Sequence, residues 1–368
     1  MAAPPLTLLK NIPKVMNEHL LPPSIRTAVV GLGRIGFAFH APMLVANPAF
    51  ELVAVVDPMT ARTTEATRLW GAAGYSDLAD LLSEISLDLV VICSPSPFHR
   101  DQVIQCAKAN VHVVCDKPAA SSVADLDGMI AAMAAAQRKF IVYQPARLCP
   151  EIRVLKAILD RGLLGRLHTI TRHRGNFARR NDWQSLQAYG GGMLNNYGSH
   201  ALDEILWLLN LPNFESVYCL SARINTVGDA DDHTKALLRT DQGVMVDLTF
   251  SQANATVIHP WQVHGSTGSA IWDETAQVWR LKYFNGKSNP PPPLQTGLAA
   301  SNRAYQTEKL PWQEEILTPP ASDPAEFYQA VHYTLLEGAT PPVTVEESRA
   351  LLVLIERCRT SAESGQSV

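Results

Sequence analysis

The sequence has no C-x-x-C pair. Its six cysteines, at positions 93, 106, 115, 149, 219 and 358, are scattered and lie at no histidine spacing of the kind that builds a zinc site. This argues against a zinc module and a disulfide-stapled scaffold, so the thiols read as reduced core residues and no metal is expected. Long apolar runs are also missing. None reaches the roughly eighteen residues that a membrane helix needs, and the N-terminal MAAPPLTLLKNIPKVMNEHLLPPS has neither a signal-peptide core nor a cleavage signal. The reading is therefore cytoplasmic, with no membrane partner. Charge of one sign is absent too: 31 Lys and Arg stand against 35 Asp and Glu, a net −4. Without a global basic field nucleic acid is not an expected partner, although a cluster such as RHRGNFARR can recruit an anion locally.

What is present is length and pattern. With 368 residues the chain can hold two domains, each with its own core. Residues 1–25, rich in proline, read as an extension. From Arg26, RTAVVGLGRIGFAFH runs an apolar strand into Gly31-Leu32-Gly33-Arg34-Ile35-Gly36 and then a helix. The strand ELVAVVD follows and ends in Asp57, about twenty residues on, which is dinucleotide-binding spacing. Gly31 permits the tight turn, Gly33 admits the pyrophosphate to backbone N–H groups, and Gly36 packs the helix on the sheet. Arg34 and Ile35 lie within that loop, where the helix dipole favours the phosphates. Asp57 can accept from ribose hydroxyls and would repel a 2′-phosphate, so NAD is expected over NADP.

The apolar runs LDLVVICSP, VHVVCDKP and FIVYQPA complete a doubly wound parallel sheet in a Rossmann domain spanning 26–146. Ligands bind at the carboxyl ends of such strands. That places Ser94, Pro95 and His99 at one strand end, and Asp116 and Lys117 at the next, as candidate cofactor contacts. Residues 147–368 change character: after the helix PEIRVLKAILDRGLLG come alternating segments from RLHTITRHR to AQVWRLKYF, a large, mostly antiparallel open sheet in a C-terminal α/β domain. SNPPPPLQTG is an exposed proline-rich loop. The helix VTVEESRALLVLIERCRTSAE closes the chain.

The stretch GGGMLNNYGSHALDEI, Gly190 to Ile205, carries Asn196, His200 and Asp203 at i, i+4 and i+7, one polar face on an otherwise apolar helix. Such a stripe is either a satisfied internal network or points into a reaction site. In RHRGNFARRNDWQ, Arg172, Arg174, Arg179 and Arg180 have the chemistry to bind a carboxylate or phosphate, and Trp183 to stack on a sugar; Asn176 and Arg147 are lesser candidates. Alternating arginines on a strand are more often a solvated face.

Taken together, GLGRIGFAFHAPML, DKPAA, GLLGRL, NDWQSLQAYGGGMLNNYGSHALD, VHGSTGSA and PPVTVEESRALLVLIE resemble the glucose–fructose oxidoreductase/inositol dehydrogenase/rhizopine catabolism (Gfo/Idh/MocA) family over nearly the whole chain after Arg26. The resemblance implies NAD(P)-linked hydride transfer between the nicotinamide and a sugar, cyclitol or related polyol, and a homodimer or homotetramer formed through the open sheet. It puts Lys117, matching the lysine of the E-K-P motif, near substrate and nicotinamide. It also aligns His200 with the motif histidine, and Asn196 with the motif's aspartate. Histidine can take a proton near neutral pH and an amide cannot. His200 is thus read as the acid/base, Lys117 as an electrostatic or relay partner and Asn196 as an orienting group. Tyr197, an acid in other branches, would sit about 100° around a regular helix. Two alternatives stand beside the dehydrogenase: a glycosidase-type redox elimination with no net oxidation, and a non-catalytic dinucleotide-binding sugar sensor.

Overall fold

A computed structural model describes residues 24–256, 259–294 and 308–368. The extension read over 1–25 lies outside them except for its last two residues, as does the end of the proline-rich loop. The chain divides into two compact units between Val91 and Ile92.

The first unit runs β1 (Ile25–Val30), α1 (Ala41–Val45), β2 (Phe50–Val56), α2 (Thr60–Trp70), β3 (Ala73–Tyr75), α3 (Leu78–Glu84) and then β4 (Leu89–Ile92), whose last residue begins the second unit. Ala28–Val30 and Ala54–Val56 are continuously buried, as strands covered on both faces must be. The segment after the glycines is not the regular helix that the sequence suggests. Gly36–His40 wind as a π turn, with the Ala41 N–H bonded back to the Gly36 carbonyl. Pro42, in the first turn of α1, has no N–H to return to the carbonyl four residues earlier, so the turn widens.

The second unit continues with α4 (His99–Lys108), β5 (His112–Asp116), α5 (Val123–Ala135), β6 (Phe140–Tyr143), α6 (Pro150–Asp160) and β7 (Leu167–Gly175). Then come α7 (Ser199–Leu208), β8 (Phe214–Ala222), β9 (His233–Thr240), β10 (Met245–Ser251), β11 (Trp261–Gly265), β12 (Gly268–Asp273), β13 (Val278–Tyr283), β14 (Gln313–Leu317), α8 (Glu326–Leu336) and α9 (Val345–Ser364).

Two sheets result: a six-stranded one in the order β3-β2-β1-β4-β5-β6, and an eight-stranded one in the order β14-β13-β12-β11-β7-β10-β9-β8. The pairs β1–β2, β2–β3 and β5–β6 are parallel. The larger sheet is antiparallel except where β10 runs parallel to β7. Alternation decides its faces: Thr234, Ala236, Leu238 and Thr240 of β9 are buried, while Leu237 between them is 37% exposed. Helix α9 packs against α7 and β8 on the buried side. Its start is fixed by a capping box, Thr344 and Glu347 bonding each other's backbone N–H. Among the described residues no helix is long and apolar enough to cross a membrane.

Candidate active site

In the first unit the glycine loop has the shape of a dinucleotide cradle. Gly31 adopts φ 89°, closed to most side chains, and a Cβ built on Gly33 would meet nothing within 4 Å, so that backbone faces open space. Asp57 at the end of β2 is 2% exposed. Its carboxylate accepts the Leu32 N–H at 2.8 Å and the Met59 N–H at 2.9 Å, tying the glycine loop to the second strand. Arg62 donates to the same carboxylate at 3.2 Å. The charge expected to repel a 2′-phosphate thus has a half-exposed cation beside it. The chain's own groups fit a nicotinamide dinucleotide: open backbone at Gly33, a helix starting at Arg34 and a carboxylate at the strand end.

In the second unit His99 is buried. Its Nε2 lies 2.7 Å from the Ser94 carbonyl, and its Nδ1 lies 3.1 Å from the Ala119 carbonyl and 3.2 Å from Cys115 Sγ. Burial pushes its pKa down. The neutral ring donates from one nitrogen, to the Ser94 or the Ala119 carbonyl, with the Cys115 sulfur beside Nδ1. His99, read from the sequence as a cofactor contact, sits here as a clamp between the strand-end loop at Ser94 and the loop after Lys117. Ser94 itself donates to Gln102 at 2.6 Å.

Gly190 to Gly192 form a loop that no other residue can build. Gly190 and Gly192 have positive φ, and Cβ atoms at Gly191 and Gly192 would run into the Gln184 carbonyl and the Asp231 carboxylate. Asp231 accepts the N–H groups of Met193 and Leu194, and Asn195 Nδ2 donates to the Gly190 and Gly191 carbonyls. The chain does not then enter a regular helix, as the i, i+4, i+7 reading assumes. Leu194–Gly198 form a π turn that leads into α7. A π turn inserted before an α-helix offsets the carbonyl ladder, and such turns gather at functional sites.

The displaced carbonyl has a partner. Lys117 Nζ donates to Asn196 O at 3.0 Å and to Asn196 Oδ1 at 3.4 Å, and Ser199 Oγ donates to the same Asn196 carbonyl at 3.1 Å. With Oδ1 facing Lys117, Asn196 Nδ2 donates to Gln184 Oε1 at 3.1 Å, which fixes the amide's orientation. Lys117 is pushed down to about 8, chiefly by burial, opposed by the Asp116 carboxylate and aided by Arg174. Asp116, which accepts the Lys117 N–H at 2.8 Å, is pushed up to about 6 by burial.

His200, in the first turn of α7, has a buried Nδ1 with no hydrogen-bond partner among the described residues. Burial first, then the charges of Lys117, Arg174 and Arg172, hold its pKa well below that of a free histidine. Neutral at pH 7, it is able to accept a proton. Arg174 lies 4.8 Å over the Tyr197 ring.

The rest of the stripe is structural. Asp203 is fully buried and takes Arg147 bidentately, both contacts at 2.7 Å, while Arg147 also reaches Glu347 at 2.7 Å. Arg172, expected among the substrate arginines, is held by the buried Glu204 at 3.0 and 3.4 Å and lies 4.5 Å over Trp261. Its position on β7 puts it on the face covered by α7, where a solvated arginine is impossible. Arg180 is closed onto Asp182. Asn176, Arg179 and Trp183 lie exposed on the segment after β7. Lys117, Asn196, His200, Tyr197 and Arg174 are therefore brought together, whereas Arg147 and Arg172 are taken by carboxylates. Gln184, next to Trp183, escaped the sequence reading. A loop glutamine carries no signal of its own.

The profile of the oxidoreductase family with an NAD-binding Rossmann fold matches residues 25–144, and that of the GFO/IDH/MocA C-terminal domain matches residues 152–271. The chain belongs to the Gfo/Idh/MocA family. Among relatives of this oxidoreductase family, the NADP(+)-dependent scyllo-inositol 2-dehydrogenase of Bacillus subtilis is 23% identical, covering 99% of each chain. The myo-inositol 2-dehydrogenase of Thermotoga maritima is 33% identical over 147 residues, 40% of this chain and 44% of its own. The crystal structure of an NAD-binding protein from Listeria innocua superposes with a TM-score of 0.80 at 23% identity, over 94% of this chain and 96% of that one, a likeness of fold.

Proposed function

We propose that this Gfo/Idh/MocA enzyme oxidises a secondary hydroxyl of a sugar, cyclitol or related polyol, with NAD as hydride acceptor. The observation that carries the reading is the neutral His200 beside a Lys117 ammonium that is oriented through Asn196 and Gln184. The glycine loop and Asp57 would hold NAD, which would supply the hydride acceptor. His200 takes the proton from the hydroxyl oxygen, and with the hydride gone from carbon the C–O bond is left as a carbonyl. The Lys117 ammonium donates to the reacting oxygen and offsets the negative charge that develops there as the proton leaves. Asn196, which cannot titrate, orients Lys117. Tyr197 is half-buried under Arg174 and supplies a stacking surface.

The inositol dehydrogenases among the relatives support this reading over a redox elimination or a silent sensor. We read residues 26–146 as the dinucleotide-binding domain and 147–368 as the substrate domain. The chain works in the cytoplasm as a homo-oligomer joined through the open sheet face, where Leu237 and Met245 are exposed. In the first unit the glycine loop, with Arg34 and Ile35, is read as the pyrophosphate cradle and Asp57 as the ribose contact; in the second, Ser94, Pro95, Asp116 and Lys117 are read as candidate cofactor contacts. A panel of sugars, inositols and other polyols with NAD and NADP, followed at the NADH absorption band and by product chromatography, tests the proposal. A carbonyl product formed one-for-one with NADH is expected, and cleaved sugar without NADH would overturn it.

A further inference from the structure

Helix α9 bonds both chain segments that bring Lys117 and Asn196 together. Arg359 Nη2 donates to Asn195 Oδ1 at 2.6 Å, and its Nη1 donates to the Ser121 carbonyl at 3.0 Å. Asn195 directly precedes Asn196 in the π turn, and Ser121 follows Lys117 by one short loop. The contact from Lys117 Nζ to the Asn196 carbonyl is thus paralleled by a second bridge between the same two segments, made by one guanidinium. Both ends of that bridge are fixed. Asn195 Nδ2 donates to the Gly190 and Gly191 carbonyls while its Oδ1 receives Arg359, so the amide cannot turn. Glu356, one turn earlier on α9, accepts the Val123 N–H at 2.7 Å, so one helix face grips residues 121–123 with a donor and an acceptor. A planar guanidinium can span two acceptors on different segments, which a point-like ammonium on a flexible stem does poorly. Glu356, Asp231 and Glu363 lie near enough to act on the Arg359 charge, yet its hydrogen bonds go to neutral oxygens, as a spacer's would. Arg357 on the same helix shows the contrast: it donates to the Phe214 and Val368 carbonyls, tying Val368 to the start of β8.

We propose that Arg359 is a positioning residue for the hydride-transfer site: by joining Asn195 to the Ser121 carbonyl it sets the separation of Lys117 and Asn196, and so aims the Lys117 ammonium at the reacting oxygen. The inference rests on the dehydrogenase reading of the His200 site and adds to it a residue that acts through two others. Arg359, Ser121 and Asn195 also border a cavity of about 680 Å³, which gives a small ion access to the bridge.

The test compares the full chain with Arg359→Ala, Arg359→Lys and Arg357→Ala, using NAD and the best substrate of the polyol panel. Arg359→Ala should lower kcat by about ten- to hundredfold, the scale of a small misplacement, with KM changed by no more than about twofold. The alkaline limb of kcat/KM should also move up from about 8, because a loosened Lys117 is less desolvated. Asp116, Arg174 and His200, the other charged or titrating groups facing Lys117, are unaltered in these variants. Arg359→Lys keeps the charge and loses the fork, so it should lie between the parent and Arg359→Ala. Guanidinium chloride, well below denaturing concentration, should restore part of the kcat lost in Arg359→Ala, and the same concentration of sodium chloride should restore none. Arg357→Ala should lower the melting temperature while kcat and the limb stay in place.

Parent-like kcat and limb in Arg359→Ala, a loss that Arg357→Ala reproduces at equal loss of melting temperature, or a failure of guanidinium to rescue would each overturn the proposal. If Arg359→Ala does not fold, judged by its melting curve, Arg359→Lys decides: a raised limb with lowered kcat supports the proposal, and a parent-like profile overturns it. If no compound is oxidised, the dehydrogenase reading fails on its own, and the pH dependence of Lys117 acetylation by acetic anhydride, read by peptide mass spectrometry, decides the positioning. A midpoint raised in Arg359→Lys and unmoved in Arg357→Ala supports it, and equal midpoints in all three chains overturn it.

Discussion

The π turn with the first residues of α7, and the single turn that follows, treat buried polarity in opposite ways. Asp203 and Glu204 are buried and each is closed by an arginine, so nothing remains for a ligand to satisfy. Asn196 and His200, a few residues earlier, are more open; His200 keeps an unpartnered Nδ1, and the Asn196 carbonyl is offered to a lysine. A completed pair holds α7 in place, and an incomplete one keeps a group available. Polarity on a helix face therefore does not mark a reaction site; incompleteness does.

Substitution should separate the two regions cleanly. His200→Ala should cut turnover by about 10²–10⁴, the usual contribution of a positioned acid/base, while leaving the melting temperature and NAD affinity near those of the parent chain. Steady-state rates beside calorimetric NAD titration check this. Full activity with a lower melting temperature would move His200 into the structural class. Asp203→Asn should do the reverse. It leaves Arg147 short of its main counter-charge and should cost about 3–5 kcal/mol of stability, read from urea unfolding, with catalytic constants little changed in the folded fraction.

Proton occupancy sharpens the contrast. Lys117, pushed down to about 8, should set the alkaline limb of kcat/KM near that pH, since the neutral amine no longer stabilises the oxyanion. His200 has its pKa depressed, so it is already a base at pH 6.5 and its acid limb should fall well below that value. Asp116, pushed up to about 6 by burial, should add an inflection near that pH. Linkage has a definite sign here. Below about pH 6.5 the unfolded chain takes up the His200 proton before the folded chain does, so stability from this group declines as pH falls from there towards its folded value. Asn196→Asp should keep Lys117 charged to higher pH and raise His200, moving the whole profile upward with activity retained. A pH titration of both chains checks it.

The smallest effect concerns the cofactor. Asp57→Ser should narrow the preference for NAD over NADP, by about tenfold at most, because Arg62 already offsets part of the Asp57 charge. Arg62→Ala should widen it. Tryptophan fluorescence titration with both dinucleotides measures each.

Local signals were legible in the sequence. The glycine spacing, the continuous apolar strands, the period-2 strands of the larger sheet and the lysine after β5 depend on neighbours within a few residues. Partnerships across long separations were not. Arg147 and Asp203 are 56 residues apart and Arg172 and Glu204 are 32 apart, so an arginine on an alternating strand looked available when it was already taken. Lys117 meets Asn196 across 79 residues. The π turn was hidden for a different reason: its residues are compatible with an α-helix, and only the packing of the loop before it shifts the hydrogen-bond ladder.

The glycine loop has an evolutionary corollary. At Gly191 and Gly192 a methyl group would strike a backbone carbonyl and a carboxylate, and at Gly228 a Cβ would meet the Ser185 carbonyl, so the segment from Gln184 to Gly192 is gripped from both sides. In a saturation library selected for turnover these columns should tolerate almost nothing, while exposed Arg179 and Trp183 close by remain free to vary. New substrates would then be acquired by changing the side chains that the strap presents, never its path.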